Sequence, residues 1–198
     1  MAGYKGIPHK TNLKGKNFSA LKRQVICVDT GVTAIEFLDS SDAVDLSYDV
    51  LEFHVYNFNP ATDAKGLQFQ VKTSSYNYVT PITSTIWESH ATYSGSTKAV
   101  AYNTSDDQQQ GTSYQHITGD VDNAASASAG GILKLYGAKD PAFHKHWMAE
   151  LSSFVDGNKG HMCQTGGYFN TAEVITGIKF IAEGGGSFDA TIALYGVA

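Results

Sequence analysis

Two histidines one residue apart, His144 and His146, stand on either side of Lys145. On an extended strand an i, i+2 pair points both imidazoles to one face, a geometry that zinc accepts. His161 and Cys163 repeat the spacing with a thiol as the second donor. A structural or catalytic zinc takes three or four ligands, however, and no second pair is marked to join either. Polar surface histidines are the competing role, and no metal or other cofactor is expected.

Carboxylates cluster without completing a motif. "DVDN" at Asp120, Asp122 and Asn123 begins like a calcium loop. Ala124 then takes the next ligand position, Ala125 the turn glycine's place and Gly131 that of the closing glutamate. Asp39, Asp42 and Asp45 have the spacing of a solvated acidic turn, and Asp106 and Asp107 lie beside three glutamines in a loop. Adjacent loop carboxylates are poorly placed for paired acid and base work. There is no G-x-S-x-G elbow and no glycine-rich phosphate loop opening a helix. Cys163 and His161 lack a third, orienting group. Trp87, Tyr76, Tyr78 and Tyr93 have rings that could stack on sugars, but such rings also fill cores and interfaces. No catalytic residue is assigned, and the chain is not expected to be an enzyme.

The elements that would position these side chains are strands. The 198 residues hold 20 Gly, 11 Tyr and 10 Phe against 14 Lys plus Arg and 3 Met, a balance that favours an all-β domain. "VICVDT" and "VTAIEFL" flank Gly31. In 50–58 Leu51, Phe53 and Val55 alternate with Glu52, His54 and Tyr56; in 66–73 Leu67, Phe69 and Val71 point in while Gln68, Gln70 and Lys72 point out. Further strands are predicted at 82–94, 98–103, 113–118, 131–137, 173–182 and 187–197. Residues 141–157 fit both helical and alternating spacing, and the alternation of Phe143, Lys145, Trp147, Ala149 and Leu151 favours a strand. "NTSDDQQQGT" (103–112) and "DVDNAASASAGG" (120–131) are too polar to join a core and read as exposed loops. Nine or ten strands without alternating helices predict a jelly-roll-like antiparallel β-sandwich spanning 25–198.

Residues 1–24 differ from this body. They carry Lys5, Lys10, Lys14, Lys16, Lys22 and Arg23 and no acid, a net +6, which leaves the body at −11. The segment reads as an extended basic arm whose Tyr4, Ile7, Leu13, Phe18 and Leu21 interleave apolar anchors with charge. The acidic body argues against nucleic-acid binding there. No apolar run reaches the roughly 18 residues of a membrane span. Cys27 and Cys163, without a charged-then-apolar leader, suggest free thiols in a reducing compartment.

The ordered blocks "YDVLEFHVYNFNPATD", "LQFQVKTSSYNYV", "GGILKLYGAKDPAFHKHWMAEL" and "GGYFNTAEVITGIKFIAEGGGSFDATIALYGVA" resemble those of a broad set of tailed-bacteriophage virion proteins. The resemblance covers residues 45 to 198 and ends on Leu194, Tyr195 and Gly196. It implies a β module that builds or decorates a phage particle assembled in the host's cytoplasm. Capsid decoration is the first expectation, with copies of the chain (a trimer) and the capsid shell as partners. Tyr4, Lys5, Lys10, Lys14, Lys16, Phe18, Lys22 and Arg23 form the expected docking arm. The alternative is a tail or fibre module that binds surface glycans.

Overall fold

A computed structural model describes residues 22–39, 44–155 and 159–197. It is all-β, with thirteen strands and no α-helix among the described residues. They are β1 (Lys22–Val32), β2 (Ile35–Leu38), β3 (Val50–Pro60), β4 (Leu67–Lys72), β5 (Ile82–Thr92), β6 (Lys98–Tyr102) and β7 (Gln109–Gly111), followed by β8 (Gln115–His116), β9 (Ala129–Tyr136), β10 (Lys145–Val155), β11 (Lys159–Phe169), β12 (Gly177–Ala182) and β13 (Phe188–Val197). Every pairing is antiparallel. A nine-stranded sheet runs β1-β13-β3-β9-β10-β11-β5-β6, with β7 also on β5, and a four-stranded sheet runs β2-β12-β4-β8. The last strand is thus an interior one, between β1 and β3.

Alternation explains why these segments bury one face. Leu51, Phe53 and Val55 of β3 and Leu67, Phe69 and Val71 of β4 are all buried, as their spacing predicts. Between the sheets Phe53 packs against Phe37 and Phe180 at ring-centroid distances of 5.3 and 5.4 Å, and Phe69 meets Trp147 edge-on at 5.0 Å. Each such ring contributes about 1.5–3 kcal/mol by leaving water. Trp147, Ala149 and Leu151 face the core while Phe143 and Phe154 are exposed, so 145–155 is a strand.

Several expectations need correction. Gln70, expected outside, is fully buried: its amide nitrogen donates to Thr80 O (3.0 Å) and Ser113 O (3.1 Å), and its oxygen accepts from Val71 N (2.8 Å). A buried amide is tolerable because these groups satisfy it. The two polar loops are not wholly outside either. Val121 and Ala127 are buried, Gln108 is nearly so, and 109–111 pairs as β7. The strand expected at 113–118 shortens to Gln115–His116, and β11 was not foreseen as an element. The first strand begins at Lys22 instead of Val25, so Lys22 and Arg23, assigned to the arm, pair with Gly196 and Tyr195. Tyr4, Lys5, Lys10, Lys14, Lys16 and Phe18 lie outside the described residues.

Lys145 is the most unusual core residue. It occupies an inward position of β10 and is buried, yet among the described residues no carboxylate lies within ion-pair distance of its ammonium. Nζ donates instead to three backbone carbonyls, those of Asp140, Phe143 (2.6 Å) and Ala172 (3.0 Å). One cation thereby ties the segment before β10 to the segment after β11.

Candidate functional site

The described residues gather four carboxylates where β8, at the edge of the small sheet, lies near β5 and β11. Glu88 of β5 sits opposite Cys163 of β11, and His161, two residues along on the same inward face, places Nε2 3.7 Å from the Glu88 carboxylate. Asn103 donates to both Glu88 (3.1 Å) and Asp106 (2.9 Å), which fixes the two carboxylates on either side of one amide. Its own backbone nitrogen is anchored to Ile86 O at 3.0 Å. His116 of β8 is hydrogen-bonded to Gln68 of β4. Asp120 follows β8, and Glu183 enters from the turn after β12, with Lys65 3.8 Å away.

These groups line a cleft of about 320 Å³. A second hollow of about 350 Å³ shares Ser105, Asp106 and His116 with it and adds Asp107, Gln108 and Tyr114. The two hollows adjoin at those three residues as an acidic furrow whose described lining contains no lysine or arginine, with Lys65 reaching Glu183 from outside that lining. Its electrostatics follow from that composition. Burial, together with the neighbouring Glu183 and Asp106 carboxylates, holds the Asp120 carboxyl above its usual range. The Glu88 carboxyl is held low, first by its hydrogen bond to His161 and then by that to Asn103, against the opposing effect of burial. The His161 side chain is only 11% exposed, and its Nδ1 has no hydrogen-bond partner among the described residues. The ring lies against Gly119, where a Cβ would come within 2.3 Å of it.

No protein-family model, curated protein or solved structure matches this chain.

Spacing along the sequence did not reveal the furrow, because Glu88, Asp106, Asp120 and Glu183 come from four separate segments. The pairs that spacing did single out behave differently. His144 lies outside β10 and stacks on Tyr168 at 5.7 Å, and His146 packs near the same ring at 5.8 Å, so both imidazoles are engaged with one aromatic ring. His161 and Cys163 do share the inward face of β11. Burial pushes the Cys163 thiol up to about 12, however, which keeps it protonated. Cys27, on β1, is a free thiol, as is Cys163. Asp39 is bound by Lys139 and Leu46 N, Asp45 by Ser47, and Asp122 by Ala124 N; Asp42 lies outside the described residues. Among the described residues no three histidines, cysteines or carboxylates converge tightly enough to hold a metal ion.

Of the four candidate stacking rings, Tyr78 is buried, donates to Glu36 (3.2 Å) and lies under the Lys179 ammonium. Trp87 is half-exposed on the outer face of the nine-stranded sheet, edge-on to Tyr102 at 5.3 Å. Tyr102 donates to Asp107 (2.6 Å), and Gln164, opposite Trp87, donates to Glu150 (3.1 Å). Beside this pair the outer face forms a shallow hollow of about 720 Å³, to which Ser89, Val100, Ser152 and Met162 contribute from four adjacent strands.

Proposed function

We propose that this chain is a structural component of a tailed-phage virion, one that decorates the capsid and associates with copies of itself. The observation that carries the reading is the outer face of the nine-stranded sheet, which is exposed among the described residues. Val28, Tyr56, Trp87, Val100, Tyr102 and Met148, drawn from five strands, leave large apolar groups in water there. Of these, Trp87 and Tyr102 touch at 5.3 Å and Val100 lies two residues from Tyr102 on β6, a cluster that we read as the part another protein covers. The resemblance supplies the kind of particle: its blocks fall on β3, β4, β9, β10, β12 and β13, which build both sheets. Mass spectrometry and a density map of purified particles of the phage encoding the chain test this. The chain present in many symmetric copies on the head is the expected result, and its absence from the particle overturns the reading. In solution a trimer is expected by light scattering.

The Trp87–Tyr102 pair favours a second reading, a host-recognition module for surface glycans. Half-exposed rings beside the Gln164–Glu150 pair offer both an apolar stacking plane and hydrogen-bonding groups. Glycan-array binding that is lost in Trp87→Ala would support it, and an array without signal would remove it.

A further inference from the structure

The nine-stranded sheet ends in two unlike edges. Strand β1 carries register shifts at Arg23/Val25 and Asp29/Val32, irregularities of the kind that turn an edge away from further pairing. In the small sheet the edge strands β2 and β8 are four and two residues long, too short to template much. The remaining edge, β6, pairs with β5 in unbroken register, and all five of its residues, Lys98 to Tyr102, are exposed.

The hydrogen bonds around β6 show which of its backbone groups are left over. Asn103 N donates to Ile86 O and Thr92 N to Thr97 O, both at 3.0 Å, and Trp87 lies opposite Tyr102. Antiparallel pairs alternate between bonded and non-bonded, so Ala99 and Ala101 direct their N–H and C=O groups to β5, whereas Lys98, Val100 and Tyr102 direct theirs away from the sheet. Among the described residues no other strand or loop bonds them.

We propose that β6 pairs with β6 of a second copy of this chain, antiparallel about a two-fold axis at Val100, so that the two large sheets become continuous. The inference rests on the self-association proposed above and names the surface that meets. Backbone complementarity selects a second copy. With the two Val100 residues opposite each other, Lys98 of each copy faces Tyr102 of the other, and every outward N–H and C=O of the three residues finds a partner. Shifting the register by two residues either way leaves one of the three unpaired on each strand.

Charge matches in the same register. Lys98 is the one charged residue of β6, and an edge lysine ordinarily keeps other strands away. Here it meets the Tyr102 ring of the second copy, whose hydroxyl donates to Asp107 at 2.6 Å, so the ammonium approaches both a ring face and a carboxylate. The side chains fit as well. Val100, 77% exposed in the single chain, meets its own counterpart on the outer face beside the Trp87–Tyr102 contact, while Ala99 and Ala101 on the opposite face are too small to obstruct the approach. A two-fold contact joins copies in pairs, so it links one trimer to the next and is separate from the contact that builds the trimer.

The test uses the full-length chain with Cys27→Ser, which leaves the buried Cys163 as its one native thiol. Opposite Cα atoms of a bonded pair lie about 5.5 Å apart, within disulfide reach, whereas the two Lys98 residues are four positions out of step, more than about 13 Å. Under mild oxidation Val100→Cys should give a linked dimer, and a mixture of Lys98→Cys with Tyr102→Cys a mixed dimer that neither forms alone. No link at Val100→Cys, or self-linking of Lys98→Cys as fast as the mixture, overturns the proposal. As a second measurement, on the unaltered chain, amide exchange at Lys98, Val100 and Tyr102 should slow about tenfold or more as protein concentration rises, with Ala99 and Ala101 unchanged. Exchange that does not depend on concentration overturns it, as does slowing that survives Val100→Pro, which removes an outward N–H and spares the ladder to β5. If the chain is found on particles but these links fail, the edge pairing falls and the virion reading stands. Links in the expected register in a chain absent from particles give the reverse.

Discussion

Gly196 of β13 lies against the face of Tyr48: a Cβ at position 196 would come within 2.4 Å of the ring. The other Leu-Tyr-Gly phrase ends differently, since Gly137 has φ +57° and its nitrogen bonds Asp49 O at 2.8 Å in the turn leaving β9. One glycine is required by space and the other by backbone conformation. Gly196 neither stops nor turns the chain, because it sits within a paired strand, opposite Leu51.

Gly196→Ala should therefore destabilise by overpacking, about 1–3 kcal/mol, and Gly137→Ala by about 1–2 kcal/mol from the left-handed conformation alone. Urea unfolding of the two variants checks this. Gly137→Asn should recover part of the second loss, because asparagine tolerates that conformation, whereas Gly196→Asn should be at least as damaging as Gly196→Ala.

Replacing Lys145 by Met keeps most of the aliphatic stem but leaves the carbonyls of Asp140, Phe143 and Ala172 without their shared donor. A loss of about 2–4 kcal/mol is expected, with faster amide exchange in 137–144 and 170–173. Equal stability of the variant and the parent would show that the carbonyls find other partners.

Glu173 provides a pH test. Its carboxylate accepts from Ser75 Oγ (2.6 Å), Ser74 Oγ (2.7 Å) and Ser75 N (3.0 Å), and these bonds, led by that from Ser75, hold its pKa down to about 2. A carboxyl with a depressed folded-state pKa contributes stability that is complete above its unfolded value and is lost as pH falls through the folded one. Unfolding midpoints measured between about pH 5 and pH 2 should fall more steeply in the parent than in Glu173→Gln, the two curves converging at the acid end. Parallel curves would show that the carboxylate adds nothing to folding.

The fold was legible wherever one residue in two was apolar. That pattern fixed β3, β4, β5, β10 and β13 and the inward set Leu51, Phe53, Val55, Leu67, Phe69 and Val71, because a strand half-covered by a second sheet must alternate. The strand β11 escaped because three of its eleven residues are glycines, which read as turn formers. At Gly167 the reason is close approach instead, since a Cβ would lie 2.2 Å from Thr83 O on the neighbouring strand. Gln70 escaped because alternation assigns a face but does not say what covers it. The furrow was illegible for a third reason: the β5–β11 pairing that sets His161 beside Glu88 joins segments far apart in sequence, and the bonds of Asn103 to Glu88 and Asp106 leave no mark in residue spacing.

Burial makes a prediction for Cys163, whose thiol is pushed up to about 12 and which is fully covered. In the native chain it should resist iodoacetamide at pH 8 while reacting at an ordinary rate in denaturant. Rapid native labelling at Cys163 would mean that the β5–β11 region opens far more readily than its packing implies.

The last prediction concerns the contact between Gly119 and His161. Gly119→Ala places a methyl within 2.3 Å of the ring's present position, so the imidazole must swing away. Its Nε2 then leaves Glu88, and the largest influence lowering that carboxyl is removed while burial still acts to raise it. The Glu88 pKa, followed by NMR of the side-chain carboxyl carbon, should rise in Gly119→Ala. Asn103→Ala should raise it as well, because the second hydrogen bond is lost without moving the ring. A rise in Asn103→Ala alone would show that His161 yields to the methyl without leaving Glu88. No rise in either would mean that the surrounding solvent, not these two partners, sets the charge of Glu88.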